Sequence, residues 1–185
     1  MEWDAPLDGE SLCWRRFQSK LPRLKDIRVP RWLQMSPDTS AVELHGFADA
    51  SKQAFAVVVY LQRSKKTSGH ITLLAEKTKV APLKQVSQPR LELCAATLLV
   101  RLAVHLRTTL RLQEAPLHCW SDSMVILGWI RDHPTRWQTY VANRVSEIQT
   151  MAPNAFWHHV PGTQNPVDCA SRRLSQGELV DHALW

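Results

Sequence analysis

The stretch Ala-Val-Glu-Leu-His-Gly-Phe-Ala-Asp-Ala-Ser-Lys-Gln-Ala-Phe-Ala-Val-Val-Val-Tyr-Leu (41–61) decides the architecture. Its first half alternates from Val42 to Ala48, the period of a strand with one buried face. Its second half, Ala54 to Leu61, is an almost unbroken apolar, β-branched run, as in a strand buried on both faces. Only Ala50 to Gln53 separates the end of the first strand at Asp49 from the second, so the two strands are expected to run antiparallel.

Working outward, the polar run Ser64 to Gly69 reads as a turn, and Ile71 to Lys79 as a third strand of the same meander. Pro89 opens a long helical pattern with Leu91, Ala95, Leu98, Leu102 and Leu106 at helical spacing. Leu117 to Ser121 reads as a fourth strand. It is reached through that helix, so a right-handed crossover should lay it parallel to the first strand. Helical stretches follow at Ser123 to Arg131 and Thr135 to Met151, then a fifth strand at Ala155 to Val160. A last helix starts near Asn165-Pro166, where proline suits the first turn. The order βββαβααβα predicts an α/β fold: a five-stranded mixed sheet, ordered 3-2-1-4-5 and flanked by helices.

The first forty residues differ. Trp3, Trp14, Trp32 and several prolines flank one amphipathic stretch, Gly9 to Lys20, and Ser36 to Ser40 reads as a turn. This segment carries too little periodic structure to fold as a domain by itself. The expected organisation is therefore a connecting segment over 1–40, a domain over 41–174 and a tail over 175–185.

The length of 185 residues suits one compact domain with an appendage. A net charge of +6 favours polyanionic partners, although an ordinary solvated basic surface would give the same count. Cys13, Cys94, Cys119 and Cys169 are scattered without a CxxC pair, which argues against a zinc module or disulfide framework and for reduced thiols. No apolar run is long enough to cross a bilayer, so no membrane role is expected.

Four acidic residues stand at the ends of these elements. Asp49 closes the first strand, and Asp122 follows the fourth, its expected parallel neighbour. Glu92 falls in the first turn of the long helix, and Asp168 in the first turn of the last. Sites in open sheets form at the carboxyl ends of such strands. Taken singly, each acid has a plainer reading as a strand-end turn residue or a helix-start carboxylate. Together they form an oxygen-only donor set that suits Mg²⁺ and would be costly without a cation. Two such ions roughly 4 Å apart are the arrangement used for in-line phosphodiester displacement.

Phe-Ala-Asp-Ala-Ser (47–51), Arg-Leu-Glu-Leu-Cys-Ala-Ala (90–96), Trp-Ser-Asp-Ser (120–123) and His-Val-Pro-Gly-Thr-Gln-Asn-Pro-Val-Asp-Cys-Ala-Ser-Arg (159–172) resemble the ribonuclease H domain of LTR retrotransposons, most closely the BEL/Pao group. The resemblance covers about residues 41–174. It implies a nuclease that cuts the RNA strand of RNA–DNA hybrids, with Asp49, Glu92, Asp122 and Asp168 as catalytic metal ligands. It implies two Mg²⁺ ions, with Mn²⁺ as a substitute. Residues 1–40 are similar to the segment joining reverse transcriptase to this domain in Pol polyproteins. The expected partners are thus an RNA–DNA hybrid and the reverse transcriptase domain of the same polyprotein. The expected setting is intracellular, in a cytoplasmic particle or the nucleus. In one respect the sequence departs from the retroviral pattern: no histidine lies between Val160 and Asp168.

Candidate substrate contacts are Ser51 and Ser123, each beside an acid, and Ser87, Gln88 and Arg90 ahead of Glu92. These last three are placed to reach the minor groove, where 2′-hydroxyls mark RNA. A helix cap is an equal reading of Ser87. Trp120, Trp129, Trp137 and Trp157 read as core rather than base-stacking residues. The competing functions are a non-catalytic interaction module derived from a retroelement, and an integrase-like or transposase-like nuclease. The latter resembles a different spacing, with its glutamate late in the chain.

Overall fold

The structure, a computed structural model, describes residues 10–26, 28, 33, 41–64 and 69–171. The chain divides into two compact units, residues 1–29 with 174–185, and residues 30–173. In the first unit the amphipathic stretch forms helix α1 (Glu10–Lys20), followed by a 3-10 turn over Leu21–Asp26. Trp14 and Phe17 lie one turn apart on α1, stack at 5.5 Å and are exposed. The expected boundary at residue 40 and the expected tail at 175–185 lie outside the described residues.

The second unit is built on a five-stranded sheet in the order β3-β2-β1-β4-β5. Its strands are β1 (Ala41–Ala50), β2 (Ala54–Ser64), β3 (Gly69–Val80), β4 (Leu117–Ser121) and β5 (Phe156–His159). β1 pairs antiparallel with β2, β2 antiparallel with β3, β1 parallel with β4, and β4 parallel with β5. The fold class and strand order follow the sequence expectation. Residues 65–68 of the expected polar turn lie outside the described residues.

Alternation sorts the side chains between two faces. On one face Leu44, Ala48 and Ala50 of β1 join Val57, Val59 and Leu61 of β2 and Leu117 and Cys119 of β4. Helix α2 (Gln88–Thr109) covers them with Leu91, Ala95, Leu98, Leu99 and Ala103. Helices α3 (Met124–Arg131) and α4 (Thr139–Met151) extend that core through Ile126, Ile130, Val141, Val145 and Ile148. Gly46 lets β1 and α2 approach: a Cβ there would stand 2.5 Å from the Leu99 side chain. On the other face, Ala56 and Val58 pack with Val167, Phe47, Tyr60 and Ala170 beneath the short helix α5 (Asp168–Ser171).

Three sequence expectations need correction. The helix expected from Thr135 begins at Thr139, because Pro134–Arg136 form a separate 3-10 turn and Trp137 is extended. That extension lets the Trp137 indole donate to the Trp129 carbonyl oxygen at 3.3 Å and pack beside its ring. The last helix begins at Asp168 rather than Asn165, because the Asn165 side chain forms a local turn that accepts from Val167 N–H at 3.2 Å. Trp129, Trp137 and Trp157 do pack against the main core. Trp120 instead faces the opposite side of the sheet, as its even position between buried Cys119 and Ser121 requires.

Trp120 belongs to a set of near-parallel rings on that second face. It stacks on Phe47 at 5.9 Å and on His158 at 4.5 Å. His118 stacks on His45 at 4.9 Å and on His158 at 5.2 Å. One nitrogen of the His118–His158 pair donates to the other at 3.0 Å, so that bond requires at least one neutral ring. Glu43 is the acidic neighbour, 3.3 Å from His45 Nε2 and 3.9 Å from His118 Nε2. Burial pushes the His45 imidazole below its ordinary 6.5; the Glu43 hydrogen bond opposes this and the His118 charge adds to it. Burial also lowers His158, helped by the charges of His118 and Arg131.

These two rings therefore hold fewer protons in the folded chain than in the unfolded chain once pH drops below 6.5. The stability from these rings is fully present above that value and is lost as pH falls through the lowered folded values. By themselves these rings should make melting temperature decline from pH 7 toward pH 5, and below about pH 6 the raised Asp49 carboxyl opposes them. His118→Phe, which keeps a ring and removes the charge, should flatten the decline. Melts of the two proteins across that range check this, and equal slopes would refute it.

Candidate active site

The carboxyl ends of β1 and β4 lie side by side, since Ala48 pairs with Ser121. Asp49 is therefore the next residue on β1, and Asp122 the first residue beyond β4. Asp49 is 6% exposed, which is deep for a carboxylate. Its Oδ2 accepts a hydrogen bond from Ser171 Oγ. Asp122 is half-buried, and the loop after β5 passes close to it: a Cβ on Gly162 would stand 3.2 Å from Asp122 Oδ2. Asp168 is the first residue of α5, and its N–H donates to the Asn165 carbonyl oxygen at 3.1 Å.

Asp49 records this crowding. Burial pushes its carboxyl from the ordinary 3.8 up to about 6. The Ser171 hydrogen bond pulls the other way, and the charges of Asp122 and Asp168 push it up further. Three of the four expected acids thus share one electrostatic site. Glu92 sits on α2, half-buried, and is not among the charges acting on Asp49. It is the fifth residue of α2, just past the first turn, because the helix starts at Gln88 with Pro89 inside it. Among the described residues, no three or more His, Cys, Asp or Glu side chains stand arranged to hold one metal ion. The donor chemistry nonetheless suits a hard divalent cation: oxygen ligands, partly desolvated, whose mutual repulsion a cation would relieve.

The sign of the Asp49 shift gives a prediction. Between about 3.8 and 6 the folded chain holds more protons than the unfolded chain, so this group costs stability as pH rises through that window. A shift of this size corresponds to on the order of 3 kcal/mol. In chelator at pH 8, Asp49→Asn should melt several degrees above the parent, and the gap should close near pH 4. A parent that melts higher at pH 8 would contradict the crowding.

The expected substrate residues have distinct surroundings. Ser51 Oγ donates to the Ser171 carbonyl oxygen at 2.5 Å and accepts from Gln53 N–H at 3.1 Å, so it fastens the β1–β2 corner to α5. Ser87 is the exposed N-cap residue of α2, and its hydroxyl makes no capping hydrogen bond. The Gln88 side chain donates to the Ala50 carbonyl oxygen, tying the start of α2 to the end of β1. Arg90 is exposed and lies over the Tyr140 ring at 4.9 Å, while Arg144 covers the same ring at 3.6 Å. Ser123 is the N-cap of α3 and accepts from Ile126 N–H at 3.5 Å. His158 turns toward the ring set, and His159 is exposed.

Sequence reasoning missed Ser171 and Asn165. Both are 1% exposed, and both tie the α5 region to β1: Asn165 Nδ2 donates to the Ala48 carbonyl oxygen at 3.2 Å. The available signal was spacing, since Ser171 follows Asp168 by three residues and so shares its helix face.

Among solved structures, the chain is similar to the N-terminal RNase H domain of Rv2228c from Mycobacterium tuberculosis, at 15% identity and a TM-score of 0.45, over 68% of this chain and 85% of that one. RNase H1 from the halophilic archaeon Halobacterium salinarum NRC-1 is 13% identical with a TM-score of 0.44, over 76% of this chain and 99% of that one. The foamy viral protease-reverse transcriptase in complex with an RNA/DNA hybrid is 9% identical with a TM-score of 0.45, over 74% of this chain and 19% of that one. No curated protein matches the chain. The family described as Pao retrotransposon-like RNaseH-like domain matches residues 1–123, a span that takes in Asp49, Glu92 and Asp122 and stops before Asp168. Matched over the greater part of its length by that family, the chain belongs to it.

Proposed function

We propose that this chain is a divalent-metal-dependent endoribonuclease that cuts the RNA strand of RNA–DNA hybrids during retrotransposon reverse transcription. The observation that carries the reading is the Asp49 carboxyl, which lies at the joint carboxyl end of β1 and β4 and is raised by burial and by the charges of Asp122 and Asp168. Membership of a family described as RNaseH-like supports a nuclease reading. Asp49, Glu92, Asp122 and Asp168 would hold Mg²⁺, as two ions, with Mn²⁺ able to replace it. Bound there, the metal would activate water and stabilise the departing oxygen.

The chain's own groups would position the substrate. Ser87 offers an uncommitted hydroxyl at the start of α2, and Arg90 an exposed guanidinium one turn before Cys94. Both sit on the helix that carries Glu92, and are suited to the 2′-hydroxyls and phosphates of a hybrid. Ser51 and Ser123 flank Asp49 and Asp122 and fix the corners that carry them. In the same reading residues 1–40 connect to the reverse transcriptase domain of one polyprotein, residues 41–174 form the nuclease, and 175–185 are a tail. The site of action is intracellular, in a cytoplasmic particle or the nucleus.

Cleavage of a labelled RNA–DNA hybrid with Mg²⁺, with and without chelator, tests this reading. RNA-strand products that vanish with chelator are expected. Metal-independent hybrid binding without cleavage would favour the non-catalytic interaction module, and cleavage of duplex DNA an integrase-like enzyme. Hybrid binding by this chain should also be weak and salt-sensitive, because its net +6 is dispersed along the sequence. Each phosphate contacted should contribute roughly −0.9 to the slope of log K against log salt. A binding isotherm that does not change between 50 and 200 mM salt would exclude a phosphate-led interface.

A further inference from the structure

We propose that Ser171 is the positioning residue of this site, orienting the Asp49 carboxylate for its metal; the inference rests on the nuclease reading above. Ser171 is 1% exposed, and its hydroxyl donates to Asp49 Oδ2 across 122 positions of sequence. The same oxygen lies 3.1 Å from the Asp168 carbonyl oxygen. A hydroxyl has one proton to donate, and the carboxylate is the stronger acceptor, so Ser171 directs its O–H to Asp49.

The placement of Ser171 is itself built. Its carbonyl oxygen accepts Ser51 Oγ at 2.5 Å, and Ser51 in turn accepts the N–H groups of Gln53 at 3.1 Å and Ala54 at 3.3 Å. The turn after β1 therefore grips the residue that grips the last acid of β1. Asn165 adds a second tie, donating to the Ala48 carbonyl oxygen, one residue before Asp49. Asp168 and Ser171 lie one turn apart on α5, so the helix that brings the fourth acid also brings the hydroxyl that orients the first. Without that hydroxyl, Asp49 would lose a fixed rotamer and a donor that favours its charged form. Partners of this kind, behind metal ligands, alter metal affinity or activity by about 10- to 100-fold when removed.

The test compares the full chain with Ser171→Ala and Ser171→Thr. Mn²⁺ binding is read by calorimetry, hybrid cleavage as kcat and KM, and folding by a melt in chelator. Ser171→Ala is expected to fold, to bind Mn²⁺ about tenfold more weakly and to lose about tenfold or more in kcat, with KM for the hybrid unchanged. Ser171→Thr, which keeps the hydroxyl, should recover most of both. Mn²⁺ affinity and kcat equal to the parent in Ser171→Ala would overturn the proposal. So would losses in both variants that merely track a lower melting temperature. If the parent itself neither binds Mn²⁺ nor cleaves, the nuclease reading fails, and this inference with it.

Discussion

Asp49→Asn and Asp122→Asn are each expected to reduce hybrid cleavage by more than roughly 10³-fold while leaving the far-UV spectrum of the parent. Removing a single preorganised electrostatic group from an active site commonly costs about 10²–10³ in rate. Here the lost group would be both a ligand and a charge facing the reacting phosphate. Asp49 is the most deeply buried acid of the set, and the loop at Gly162 comes close to Asp122. The variants should separate chemistry from folding, because Asp49→Asn is also expected to melt above the parent without metal. Loss of activity with gained apo stability is the signature of a group kept for function at the expense of the fold. Retained cleavage in either variant would remove that aspartate from the mechanism.

Gly46→Val should be the most damaging single change to the fold away from the site. A Cβ at Gly46 would lie 2.5 Å from Leu99 Cδ1 and 3.2 Å from its Cγ. Leu99 is fully buried in the middle of α2, among Leu44, Ala48 and Leu117. It cannot swing away without displacing neighbours packed at crystal-like density. Overpacking of this kind costs about 1–3 kcal/mol for added methylenes, and a branched side chain placed directly against α2 belongs at or above the upper end. Chemical denaturation should show a loss of that size with little change in m value. Leu99→Ala alone should cost about 2–5 kcal/mol through its cavity. Combined with Gly46→Val, part of both losses should return, because the valine would occupy the space the leucine vacates. Strict additivity in the double variant would mean that β1 and α2 do not meet through this pair.

Much of this molecule was legible one element at a time. The alternation of Val42 to Ala48 and the apolar run of Ala54 to Leu61 mark β1 and β2, because burial on one face or two leaves a period that any reader can count. Leu117 to Ser121 matched β4 at both ends. The parallel placement of β4 beside β1 followed from the handedness of the crossover, a property of L-amino acids rather than of this sequence. From that order alone Asp49 and Asp122 had to stand at the same edge.

What the sequence determined by itself was therefore the period, type and order of the elements, and the presence of acids at their ends. Tertiary structure alone decided the meetings between distant positions. It set Ser171 on Asp49 and Asn165 on Ala48, and Gly46 under Leu99. It turned Trp120 into the ring set with His158, and made Trp137 break the start of α4 to reach Trp129. The reason is physical. Periodicity reports how much of a residue an element buries, which is a local quantity. A hydrogen bond or a clash between residues tens of positions apart depends on where two elements come to rest, and that is fixed only when the whole core packs.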